Sequence, residues 1–280
     1  MKLKRKLPEG RTFDQLRNHY EVEKSLALRL KNTTREQRKA LYPLLYEELF
    51  QKVPDHPRLA AREKAKQAQE DNLIRRKFEL VRKFIDRAAV FVEFGPGDCR
   101  FSAFMARHVK CVLAVDISDQ RSPRFEAPDN FKFIPYDGYA LDIKESAADI
   151  VFSDQLIEHL HPEDMELHFA LVRKILREGG VYVFRTPHAF FGPHDISGYF
   201  SDEPEGFHLK EWTFSEIAGI LERLNYSHWD AWMRRKNTYK RIPYGYFQIV
   251  ETMLKNRPRR PRRLLSRLFL SLKMVVSAVK

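Results

Sequence analysis

The chain has 280 residues, 43% of them hydrophobic and 12% aromatic, enough to bury one full α/β core with additions and too few for two comfortable domains. Its two cysteines, Cys99 and Cys111, form neither a disulfide framework nor a zinc pattern. With no visible secretory signal or bilayer-length apolar run, this points to a cytoplasmic protein. The net charge of +12 is local: Arg234 to Lys280 carries 14 Lys and Arg against one acid, Glu251, while the rest is nearly neutral, which weakens any claim of nucleic-acid binding by the whole protein and restricts it to the tail.

In chain order, residues 1–86 read as an N-terminal helical extension. Arg11–Lys31 and Glu36–Val53 place apolar residues at helical spacing, among them Leu41, Leu45 and Leu49, before Pro54 and Pro57 break the pattern. A charged helix is expected over Arg58–Asp86, with an inward stripe of Ile74, Phe78, Val81 and Phe84. Such a prefix either covers the mouth of an α/β domain or braces it. From residue 87 the character changes. Ala88–Phe94 is a β-branched and aromatic run suited to a strand buried on both faces. Strands over Cys111–Val115, Phe131–Ile134, Ile150–Ser153 and Val181–Arg185 alternate with helices over Arg100–His108, Pro162–Glu178 and Thr213–Leu224. That alternation predicts an α/β fold over residues 87–235, a Rossmann-like parallel sheet with helices on both faces. Thr213 and Glu216 have capping-box spacing.

Glu93-Phe-Gly95-Pro-Gly97-Asp98-Cys99 follows the first strand and precedes a helix, where glycines allow a sharp turn and close approach of a ligand. The second strand ends in Asp116, about twenty residues on, placed to accept hydrogen bonds from ribose hydroxyls. The third ends in a turn whose acid, Asp137, could accept from an adenine amino group. These residues resemble the class I S-adenosyl-L-methionine-dependent methyltransferase superfamily, with Cys99 where a third glycine is usual. The resemblance runs over roughly residues 88–230 and includes Ala148–Ser153, similar to the fourth strand, and the glycine turn Gly179-Gly180. It implies a cofactor site of Glu93, Gly95, Gly97, Asp116, Asp137 and Ser153, with S-adenosyl-L-methionine as cofactor.

Two segments at the carboxyl edge of the sheet are rich in imidazoles and carboxylates: Asp154–His161, and Thr186 through His194 and Asp195 to His208 and Glu211. Methyl transfer requires in-line alignment, and a hydroxyl acceptor also needs its proton removed by a base or acidified by a metal. Gln155, Glu158, His159 and His208 resemble the pattern of metal-assisted O-methyltransferases, the small-RNA ribose 2′-O-methyltransferases and the ubiquinone-pathway enzymes. The RNA group has a glutamate where this chain has Gln155, which costs a negative charge. His208, His159 and Glu158 are therefore the candidate catalytic residues, and the same three the candidate ligands of a divalent metal ion. Against this, Glu158-His159 also occurs in superfamily members without metal, and His208 could simply bond a backbone carbonyl. His19, His56, His168 and His228 have no such context and read as ordinary histidines. The broadest resemblance, through Thr186-Pro-His188, Gly192–Ser197 and His208–Trp212, is to bacterial methyltransferases of undefined small-molecule or saccharide specificity. The expected function is O-methylation of such an acceptor. The alternatives are an RNA ribose 2′-O-methyltransferase and a cofactor-binding scaffold without turnover.

Residues 236–280 read as a basic helical insertion ending in a last strand, Met274–Val279, which would pair with a sixth strand over His228–Arg234. The run Lys255–Arg263 still needs a partner. Peripheral membrane contact comes first, and RNA second because no aromatics interleave with the arginines.

Overall fold

The computed structural model describes residues 1–59, 67–235 and 238–280. Helices α1 (Phe13–Lys31) and α2 (Arg35–Lys52) each begin at a capping box, in which Thr12 and Thr34 accept from the backbone of Gln15 and Gln37 while each glutamine bonds back. Helix α3 spans Gln67–Val81 and ends in a short helical turn, Arg82–Phe84. Of the long helix expected from Arg58, residues 60–66 lie outside the described residues.

The sheet then begins with β1 (Val90–Phe94), followed by α4 (Arg100–Met105), β2 (Cys111–Asp116), β3 (Phe131–Pro135), β4 (Ala148–Asp154), α5 (Met165–Ile175), β5 (Leu176–Pro187), α6 (Phe214–Arg223) and β6 (His228–Arg235). Strand β7 (Thr238–Ile242), helices α7 (Tyr244–Leu254) and α8 (Arg259–Phe269), and β8 (Lys273–Val279) complete it. The strand order is β3-β2-β1-β4-β5-β8-β6-β7. The first five strands are parallel, and β8 inserts antiparallel between β5 and β6. Strand β7, paired only to β6 and absent from the sequence reading, is short and alternates weakly, so its pattern does not separate it from a loop.

Period-two alternation divides the core. Tyr182 and Phe184 of β5 face a cluster with Phe169 of α5, Phe214 of α6 and Phe247 of α7. Val181 and Val183 face the other, with Leu80 and Val81 of α3 and Phe101 and Met105 of α4. A third cluster sets the position of the prefix. Leu26, Leu30, Tyr42, Leu45 and Leu49 of α1 and α2 pack on Phe207, Leu209 and Ile117, loop residues beyond the sheet. The prefix therefore covers the carboxyl edge. Arg38 fastens it: this fully buried guanidinium donates to both carboxylate oxygens of Asp164 at 2.8 and 3.0 Å and to the Thr33 carbonyl at 2.6 Å.

Candidate functional site

The switch in strand order beside β1 opens a crevice at the carboxyl ends of the parallel strands, where doubly wound sheets place their ligands. Here it holds a cavity of about 440 Å³, within the usual range of small-molecule sites, roughly 300–1,000 Å³. The loop after β1 forms its floor. Gly95 (φ +66°), Gly97 (φ +60°) and Cys99 (φ +61°) all adopt the left-handed conformation. A Cβ on Gly95 would press on Leu156 at 3.2 Å, whereas one on Gly97 would project into open space, where a cofactor would lie. Cys99 holds the geometry of a third glycine, at the strain cost of about 1–2 kcal/mol that any L-residue meets there. Asp116 lines the same cavity, accepting from the Gly97 and Ser118 amides at 3.3 Å each; burial pushes its carboxyl up to about 6.

Other expected cofactor residues lie behind this surface. Glu93 is fully buried, accepting from Ser102 Oγ at 2.5 Å and from Lys77 Nζ at 3.1 Å; it anchors the loop rather than lining the cavity. Ser153 shares a 2.7 Å hydrogen bond with the Tyr182 hydroxyl inside the core. Asp137 is not among the residues that line the cavity. Its carboxylate accepts from the Tyr139 and Ala140 amides and pairs with Lys39, so it caps its own turn, while its neighbours Tyr136 and Gly138 line the cavity.

The acceptor side is built on β4, β5 and the loop before α6. Donor atoms of Glu158, His159 and His208 all lie within 4.8 Å of one another. His159 Nδ1 donates to the Phe207 carbonyl at 2.8 Å, and His208 Nδ1 donates to Glu211 Oε1 at 2.8 Å. Each bond leaves the Nε2 lone pair of the neutral ring free. Glu158 accepts from Thr186 Oγ1 with Oε2 at 2.8 Å, while its buried Oε1 has no partner. Burial pushes Glu158 up to about 7 and His159 down to about 3. For His208, burial works downward, but the bond to Glu211 and the nearby charges of Glu158 and Asp195 leave it raised. Two free imidazole lone pairs and an orphaned carboxylate oxygen are a donor set that a divalent ion fits. Gln155 contributes nothing to it, because its Oε1 accepts from Lys273 Nζ at 2.8 Å.

A second cluster of the same composition is built the opposite way. His19 Nδ1 accepts from Arg11 at 2.9 Å and His56 Nδ1 from the Arg58 amide at 3.1 Å, so both rings carry their proton on Nε2, facing Glu23 Oε1 at 2.8 and 3.8 Å. Those nitrogens offer protons, not lone pairs, and the cluster does not suit a metal. Its Glu23 instead accepts from the Phe207 amide at 3.2 Å, next to His208. His168 bonds the Tyr182 hydroxyl and His228 pairs with Asp230. His188 is turned from the cavity to a buried 2.8 Å contact with Glu251.

Two side-chain pairings have no counterpart in the sequence reading, which names Glu211 without a role. Glu211 bridges His194 and His208; its signal was the three-residue spacing from His208. Lys273 reaches Gln155 across 118 positions, a pairing no local pattern announces.

A Rossmann-like sheet closed by an antiparallel strand, with a glycine loop and a strand-end acid around one cavity, has the architecture of class I methyltransferases. Residues 92–184, about a third of the chain, match the family described as a methyltransferase domain, and the protein is an enzyme that uses S-adenosyl-L-methionine. Three solved structures share the fold at a TM-score of 0.51. An S-adenosylmethionine-dependent methyltransferase of Archaeoglobus fulgidus is 14% identical, over 75% of this chain and 94% of its own. A Haloferax volcanii methyltransferase in complex with the Trm112 activator is 13% identical, over 76% and 92%. A Haemonchus contortus phosphoethanolamine N-methyltransferase is 15% identical, over 73% of this chain and 52% of its own. No curated protein matches the chain.

Proposed function

We propose that the protein transfers the methyl group of S-adenosyl-L-methionine to a hydroxyl oxygen of a small acceptor, with a saccharide as the favoured class. The observation that carries this reading is the Glu158–His159–His208 cluster. An amine acceptor is already nucleophilic in its neutral form, whereas a hydroxyl needs a positioned base or a metal in the transition state. In this cluster each imidazole is held by a partner on Nδ1 with Nε2 free, as proton removal requires.

In this reading the 95–97 loop and Asp116 hold the cofactor, so that alignment is set before the acceptor arrives. His208 Nε2 receives the hydroxyl proton, while Glu211 keeps the ring in its tautomer and stabilises the resulting imidazolium. In place of that base, Glu158, His159 and His208 would hold a divalent ion, which would lower the pKa of the acceptor hydroxyl while His208 Nε2 served as a ligand. Tyr42, Tyr46 and Phe207, all lining the cavity, exclude water from above, and the Tyr46 and Phe207 rings offer the apolar faces a sugar uses.

The test is methyl transfer to a panel of sugars and other small hydroxylated compounds, with isotope-labelled cofactor and NMR assignment of the product. A methyl ether is expected, with His208→Ala lowering kcat by about 10²-fold or more while cofactor affinity stays unchanged. Loss of turnover on chelation, restored by a divalent ion, would add the metal. An N-methyl product, or wild-type turnover by His208→Ala, contradicts the proposal.

A further inference from the structure

Helix α8 is mounted with its polar side inward. Ser266 is fully buried and Arg259, Arg262 and Arg263 are half-buried against the protein, whereas Leu264 and Leu268, one turn apart, are 63% and 71% exposed. Helix α7 repeats the arrangement: Ile249 and Met253 are 60% and 69% exposed, with Tyr246 on the same face. The two helices form one hairpin, tied at both ends. The Tyr246 hydroxyl donates to the Phe269 carbonyl at 3.0 Å, and Arg262 donates to the Lys255 carbonyl at 3.3 Å. Exposed apolar side chains gathered on paired helices mark an interaction surface.

Charge identifies the partner. Between Tyr244 and Phe269 stand seven Lys and Arg and one acid, Glu251, which is buried where it accepts from the Phe214 and Ser215 amides. Beside α8 lies an open cleft lined by Lys4, Arg5, Arg259, Arg260, Arg263 and Arg267. Its one acid among the described lining residues, Asp202, is already paired with Lys4 and Arg259. Arg263 Nε has no hydrogen-bond partner, and Leu264 lines the same cleft, so cationic and apolar surfaces meet along one helix.

We propose that the α7–α8 hairpin is a docking surface for an anionic phospholipid bilayer, with Ile249, Met253, Leu264 and Leu268 entering the acyl boundary and the arginines of the cleft holding headgroup phosphates. A nucleic acid would engage the arginines and leave the leucines in water. A second copy would cover the leucines but bring two arginine clefts together. Only an anionic lipid surface satisfies both faces. The contact is peripheral, since no helix among the described residues is long and apolar enough to cross a membrane.

The experiment is flotation of the full chain with vesicles of phosphatidylcholine alone and of equimolar phosphatidylcholine and phosphatidylglycerol. Flotation is expected with the anionic vesicles only. Partitioning should fall at least about tenfold in the double variant Leu264→Glu/Leu268→Glu, and similarly in Arg260→Ser/Arg267→Ser. These positions are exposed, so both variants should keep wild-type thermal unfolding and cofactor affinity, which separates lost docking from lost folding. Four results would overturn the proposal: no flotation, equal flotation with both vesicles, wild-type partitioning of the leucine variant, or a dimer or salt-sensitive RNA complex in place of vesicle binding.

Discussion

At the scale of single residues, the two glycines of the cofactor loop separate fold from function. Gly95 is confined by Leu156, whereas a Cβ on Gly97 meets no protein atom within 4 Å. Gly97→Ala should therefore cost about 1–2 kcal/mol of stability, the price of a left-handed alanine, visible in thermal unfolding. It should weaken S-adenosyl-L-methionine binding by a further tenfold or more, because the added methyl occupies cofactor space. Unchanged affinity in a folded Gly97→Ala variant would place the cofactor elsewhere. Asp116 makes a second demand. Burial raises its carboxyl to about 6, and in the proposed cofactor pose only the ionised form would accept from both ribose hydroxyls. Cofactor affinity should be level above pH 6 and fall as pH drops through it, with the dependence absent in Asp116→Asn.

At the scale of elements, the prefix and the catalytic edge act together through buried ion pairs. The Arg38–Asp164 pair ties α2 to the start of α5. The pair outweighs burial and holds the Asp164 carboxyl below its ordinary value, so its contribution to stability is present at neutral pH and lost on acidification below about 4. Arg38→Ala leaves the buried Asp164 with only the exposed Arg35, at a longer 3.3 Å, as counter-charge and should cost about 3–5 kcal/mol in denaturant unfolding. A loss under about 1 kcal/mol would show that the prefix is held by its apolar contacts alone. The strands of the parallel sheet and the cap at Thr213 were readable because each rests on local periodicity or fixed spacing. The capping boxes at Thr12 and Thr34 were equally local, and the sequence reading passed over them. What stayed hidden was tertiary. An acid after a strand looks the same whether it lines the cavity, as Asp116 does, or caps its own turn, as Asp137 does. Two histidine–glutamate clusters likewise look alike in sequence, and only the partners on Nδ1 show that one presents lone pairs and the other protons.

At the scale of the whole molecule, the cavity at the carboxyl edge and the basic cleft share no lining residue, while the prefix contributes side chains to both. Strand β8 carries the chain back from the basic hairpin into the middle of the sheet, where Lys273 reaches Gln155 at the cofactor cavity. All of the chemistry depends on that cavity holding S-adenosyl-L-methionine, so calorimetric titration of the cofactor into wild-type protein and Asp116→Ala is the most direct test. The account predicts saturable one-to-one binding by the wild type, weakened at least tenfold in the variant with folding intact. Equal binding by the two proteins, or none by the wild type at neutral pH, would contradict it.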